Sequence, residues 1–99
     1  MPKKPETLLK EKVLADLRTI DCCWYAKIQQ TTIRGTPDIL ACINGYFIAI
    51  ELKTELGKLD KLQSYTLAKI SKSGGLAYTV TPSNWQDTFD DLAKISYGD

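Results

Sequence analysis

Two carboxylates and a lysine carry the clearest chemistry in this chain. Asp38 ends the approach Gly35-Thr36-Pro37, and Glu51-Leu52-Lys53 closes an apolar run that begins at Tyr46. Between them lies Asn44-Gly45, a dipeptide that tolerates positive φ at both centres of a two-residue hairpin turn. With that turn as the loop, Ile43 faces Tyr46, and the numbers of facing residues sum to 89. Asp38 then faces Glu51 and Thr36 faces Lys53, so Asp38, Glu51 and Lys53 share one side of the sheet. Facing side chains have Cβ atoms roughly 4.5–5.5 Å apart. Two carboxylates at about 5 Å repel by roughly 3 kcal/mol at an effective dielectric near 20. Such a pair calls for a cation; Lys53 brings one charge and a divalent ion two. Hard oxygen ligands suit Mg²⁺ with several retained waters, and the main-chain carbonyl of Leu52 offers another ligand. Lys53 is then placed to orient or deprotonate a water, or to stabilise charge on a phosphoryl group. The plain alternative is a salt bridge from Lys53 to either acid on an exposed face. Phe47 to Leu52, apolar on both faces as in a central strand, argues against it.

Composition removes rival chemistries. Histidine is absent, which excludes a Ser-His-Asp triad, an HExxH zinc site and any histidine-metal nuclease centre. Cys22, Cys23 and Cys42 are odd in number and form no CxxC, so they read as reduced thiols of a cytosolic protein, small apolar residues rather than ligands. Ninety-nine residues with 43% hydrophobic content suit a single domain, 1–99, that gains stability by dimerising. No signal peptide or membrane span is visible, and the expected location is the cytoplasm. The net charge is only +1, but residues 27–72 hold seven Lys/Arg against four acids, while 73 onward holds one lysine against four aspartates. That polarity points weakly to a polyanionic partner.

The elements that must position these residues follow from periodicity. Glu6 to Ile20 has helical spacing at Leu9, Val13, Leu17 and Ile20. Cys23 to Gln29, Ile39 to Ile43 and Tyr46 to Leu52 read as strands, with a loop over Thr31 to Pro37. Asp60 to Lys72 is a helix, with Asp60 and Gln63 at capping-box spacing and Gly74-Gly75 ending it. Leu76 to Thr81 is a strand. A last helix follows Pro82, with Ser83 and Gln86 at capping-box spacing and Trp85, Phe89 and Leu92 on one face. The order α-β-β-β-α-β-α is an α/β (α+β) fold with a central mixed sheet flanked by helices.

Pro37-Asp38, a twelve-residue gap and Glu51-x-Lys53 resemble the PD-(D/E)XK nuclease superfamily. The stretch from Arg34 to Thr54, with Gln63 and Gly74-Gly75, is similar to its VRR-NUC branch, the virus-type replication-repair nuclease domain. The resemblance implies a restriction-endonuclease-like core and a metal-dependent DNA endonuclease. Asp38 and Glu51 would hold Mg²⁺ or Mn²⁺, and Lys53 would assist the water attacking a phosphodiester. Chains of little more than this domain resemble the phage and bacterial forms, homodimers acting on branched DNA such as four-way (Holliday) junctions. A flap, nick or general duplex nuclease is the nearest alternative. A catalytically idle DNA- or protein-binding module of the same fold, or a purely structural domain, is the other.

Supporting residues carry two readings each. Glu6 lies on the helical face of Leu9, Val13 and Leu17 and is a candidate metal ligand, or a first-turn acid favouring the helix dipole. Gln63 matches the superfamily's helix glutamine beside the site, and also completes a capping box. Lys27, Arg34, Lys58 and Lys61 are candidate phosphate contacts, or ordinary solvated charges, with Lys27 also suited to guarding a sheet edge. Trp24, Tyr25, Tyr65 and Tyr78 read as core or interface residues rather than base-stacking platforms.

Overall fold

The computed structural model describes residues 2–29 and 32–97. Its elements are α1 (Pro5–Leu17), β1 (Cys23–Lys27), β2 (Ile39–Ile43), β3 (Tyr46–Leu52), α2 (Lys61–Lys72), β4 (Leu76–Val80) and α3 (Trp85–Ser96), in the expected α-β-β-β-α-β-α order. The four strands form one mixed sheet in the order β1-β2-β3-β4. Both hairpin pairings are antiparallel, and β4 lies parallel to β3, as a strand returned by the α2 crossover must.

The turn residues fix the central hairpin. Asn44 and Gly45 have φ of 50° and 87°, and Ile43 pairs with Tyr46 through to Ile39 with Ile50, which is the expected register. Alternation then divides the sheet. Ile39, Ala41, Ile43, Ile48, Ile50 and Leu52 join Leu9, Val13 and Leu17 of α1 and Trp85 and Leu92 of α3 in one buried core. The Trp85 indole N–H donates to Asp16 at 2.7 Å, tying α3 to α1. Ala49 and Glu51 point to the opposite face, where α2 covers β3 and β4. A Cβ built on Gly75 there would lie 3.1 Å from the Phe47 ring and 2.8 Å from Ile70, so only glycine lets the end of α2 come down on this face.

Several boundaries differ from the sequence reading. α1 stops at Leu17 rather than Ile20, because Thr19 and Ile20 bond back only three residues, to Asp16 and Leu17; Ile20 is nevertheless buried. β1 ends at Lys27, two residues short of Gln29. α2 has both halves of the expected box, Asp60 accepting from the Gln63 N–H and Gln63 accepting from the Asp60 N–H. The box expected at Ser83 and Gln86 does not form. α3 starts one residue later with Asn84 as its cap, which makes no side-chain capping bond. Ser83 is drawn away by Glu55, which accepts its N–H at 2.6 Å and its hydroxyl at 2.9 Å. Of the thiols, only Cys23 packs against the core; Cys22 and Cys42 are exposed. Trp24 and Tyr65 are exposed as well, while Tyr25 and Tyr78 pack partly against the core. Among the described residues no helix is long and apolar enough to cross a membrane.

Candidate active site

The site lies at the end of the sheet where β3 leaves the hairpin. Register arithmetic sets Pro37 against Leu52 and Asp38 against Glu51, but the ladder stops at Ile39 and Ile50. Proline removes one of the two bonds of the next pair, since it has no N–H to give; the other is lost at Leu52. The Leu52 N–H is instead accepted by the Asp38 carboxylate at 2.8 Å. An extended residue directs its N–H and C=O to the same side, so the Leu52 carbonyl faces Asp38 without the ladder donor that residue 37 would otherwise supply. The Asp38 carbonyl is fixed from the other side by Ile28 N–H at 2.7 Å. Thr36, expected opposite Lys53, instead turns its hydroxyl to the Ile33 carbonyl at 2.7 Å.

The loop carrying Asp38 is docked on α2. Gly35 has φ of +82°, and a Cβ there would lie 2.8 Å from the Leu62 carbonyl oxygen. Only glycine allows both this left-handed backbone and this approach.

Glu51 is 3% exposed. One of its oxygens, Oε2, accepts from the Gln63 amide at 2.9 Å and lies 3.8 Å from the Lys53 ammonium. Gln63 is held in one orientation: its carbonyl must face the Asp60 N–H, which can only donate, and this turns its NH₂ to Glu51. The capping glutamine and the site glutamine are therefore the same residue acting through opposite ends. Burial, first, and the nearby Asp38 charge push the Glu51 carboxyl up from 4.5 to about 7. Lys53 opposes the rise, while a hydrogen bond shared with Asp38 and the Asp60 charge add to it. A carboxyl so poised changes protonation near neutrality and gains strongly from any added positive charge.

On the α1 side of Asp38, a cavity of about 140 Å³ is lined by Glu6, Thr7, Lys10, Asp38 and Leu52. It brings Glu6 to the same opening as Asp38 and Leu52, three of the four metal ligands expected from sequence. Glu51 does not line it, and among the described residues no three carboxylate or thiolate side chains are gathered to hold a metal alone. The groups that could hold a metal are thus mixed: Glu6, Asp38 and the Leu52 main chain at the cavity with Glu51 beside it and room for water, a chemistry that suits a hydrated hard cation. At about 30 Å³ per water, the cavity has space for a few.

Of the basic residues, Lys27 ends edge strand β1 opposite Ile39, next to Asp38. Lys58 and Lys61 are exposed in the loop before α2 and on its first turn, and Arg34 is exposed in the docked loop. All four belong to segments at the site end of the sheet. Lys10 was not among the sequence candidates, although it sits one helical turn after Glu6. It forms no ion pair among the described residues; the lysines that do are Lys3, Lys12 and Lys53. Comparison with protein-family models, characterised proteins and solved structures returned no match.

Proposed function

We propose that this protein is a Mg²⁺-dependent DNA endonuclease that hydrolyses phosphodiester bonds and selects branched DNA such as four-way junctions. The observation that carries the reading is the convergence of Glu6, Asp38 and Leu52 on one small cavity, beside a buried Glu51 held by Gln63 and Lys53. The PD-(D/E)XK and VRR-NUC resemblance of the same residues supplies the reaction class.

Asp38, Glu51 and the Leu52 carbonyl, with Glu6 from α1, would hold Mg²⁺, or Mn²⁺ in its place. When bound, the ion polarises a phosphoryl oxygen and makes its water more acidic. The chain's own residues do the rest. Asp38 and Glu51 supply negative charge that is poorly compensated without a cation. Gln63 keeps Glu51 from rotating. Lys53, tethered at 3.8 Å from Glu51, presents its ammonium to the attacking water and to charge growing on the phosphoryl group. Lys27, Arg34, Lys58 and Lys61 grip flanking phosphates. The working form in this reading is a homodimer, because one site cuts one strand and a junction needs two cuts.

The test is cleavage of junction, flap, nicked and linear DNA with Mg²⁺, Mn²⁺ or EDTA. The expected result is metal-dependent cutting that favours the junction. Asp38→Asn should lose more activity than the roughly 10–100-fold that removal of an outer partner costs, while DNA binding persists. A wild type that cuts none of these substrates and binds no divalent ion refutes the reading. Equal activity in the Asn variant refutes the ligand assignment.

A further inference from the structure

The loop from Lys53 to Asp60 carries the most exposed large apolar side chain described: Leu56 is 93% exposed. A solvent-facing leucine on a frayed loop would mean little, but this loop is anchored to Ser83 and closed by a turn of its own. Glu55, the residue before it, gives both carboxylate oxygens to Ser83, accepting its N–H at 2.6 Å and its hydroxyl at 2.9 Å. The Gly57 N–H closes a turn on the Thr54 carbonyl at 3.0 Å. That turn folds back on the site, since a Cβ built on Gly57 would lie 3.4 Å from the Cβ of Lys53. Leu56 is thus held at the tip of a hydrogen-bonded turn, next to a glycine whose backbone lies close to Lys53. Lys58 is exposed two residues further on. Both acids of this loop are engaged, Glu55 with Ser83 and Asp60 in capping α2, which leaves the exposed Lys58 beside the apolar tip, a pairing that matches a nucleobase stack edged by phosphates better than an apolar protein surface.

Resting on the nuclease reading, we propose that Leu56 is a wedge that enters the base stack next to the cut phosphodiester and gives the enzyme its preference for branched DNA. Inserting an apolar side chain between base steps requires unstacking, which a continuous duplex resists. At a branch point the helices stack end to end across an exchanging backbone and part more readily, so the leucine is buried there at a smaller penalty. On linear duplex it must either pay the unstacking or stand off from the DNA. The hydrogen-bonded turn matters because a mobile leucine would lose its advantage to ordering entropy.

The experiment places 2-aminopurine at the branch of a four-way junction and follows its fluorescence on titration with protein in EDTA. It then compares junction and linear-duplex cleavage in Mg²⁺. Leu56→Ala and Leu56→Met are the variants; at 93% exposure neither should change the unfolding midpoint. Wild type should raise the fluorescence, Ala should not, and Met should restore it. The junction-over-linear preference should fall by roughly tenfold in Ala, equivalent to about 1.4 kcal/mol. If wild type cuts DNA but Ala gives the same fluorescence and the same preference, the wedge is overturned and the nuclease reading stands. If wild type neither binds nor cuts, both are overturned.

Discussion

Glu51→Gln should stabilise the metal-free protein, and only at neutral to alkaline pH. The folded chain holds the Glu51 proton more tightly than the unfolded chain, its carboxyl rising from 4.5 to about 7. Folded stability is therefore full below 4.5 and falls as pH rises through about 7, because ionising Glu51 places a charge in a buried site beside Asp38. At about 1.4 kcal/mol per pKa step, the loss approaches about 3 kcal/mol by pH 8 and is about 1 kcal/mol or less at pH 5. Glutamine mimics the protonated acid. Its carbonyl still accepts from Gln63, its NH₂ can donate to Asp38, and it never ionises.

For a domain of this size, roughly 4–8 °C accompanies each kcal/mol. Thermal unfolding in EDTA should then show the Gln variant on the order of 10–20 °C above wild type at pH 8, with most of that gap closed at pH 5. Saturating Mg²⁺ should raise the wild-type midpoint, since a ligand bound only by the folded state stabilises it, and should leave the variant nearly unmoved. A gap of the same size at both pH values would refute the assignment of electrostatic stress to Glu51. A less stable Gln variant at pH 8 would refute the burial argument as well.

Two further substitutions probe neighbouring parts of the site. Lys10 lines the cavity with Asp38 and would meet a phosphate there in the proposed nuclease, so Lys10→Ala should weaken DNA binding and reduce the slope of log affinity against log salt by about one; Lys10→Arg should restore it, and an unchanged slope would deny Lys10 that contact. Gly35→Ala should destabilise by about 2–4 kcal/mol in urea unfolding, combining a φ of +82° with a Cβ 2.8 Å from the Leu62 carbonyl, and a loss under about 0.5 kcal/mol would show that the loop is not docked as described.

What was legible in the sequence was local. Asn44-Gly45 dictates its own backbone, and through it the pairing of Ile43 with Tyr46 and of every pair behind it. That turn alone makes Asp38 and Glu51 neighbours across twelve intervening residues. The Leu9, Val13 and Leu17 stripe likewise identified the buried face of α1. The same stripe does not say which end of β3 the helix lies along. That depends on how the whole core closes around Ile48, Ile50, Trp85 and Leu92, so the cavity joining Lys10 to Asp38 was out of reach. The Ser83 box failed for a related reason. Its sequence signal was sound, but Glu55, twenty-eight residues earlier, bonds both Ser83 groups, while Asn84 bonds back to Thr79 and Thr81.

The departure at Pro37 differs in kind, because half of it is written in the sequence. Counting residues along the hairpin puts Asp38 opposite Glu51 as though the ladder ran on. Counting N–H groups instead shows that the pair of residues 37 and 52 can make at most one bond, since residue 37 has none to return to the Leu52 carbonyl; Asp38 then takes the Leu52 N–H and ends the ladder. The consequence is chemical as well as geometric. The carbonyl released by Pro37 and the Leu52 N–H held by Asp38 at 2.8 Å belong to one residue, at the mouth of the cavity that Glu6 also lines. A proline immediately before the first acid thus withholds a ladder donor from the Leu52 carbonyl, one of the groups that would face the metal in the nuclease proposed above. Within the Pro-Asp pair, proline releases the oxygen and aspartate supplies the charge beside it.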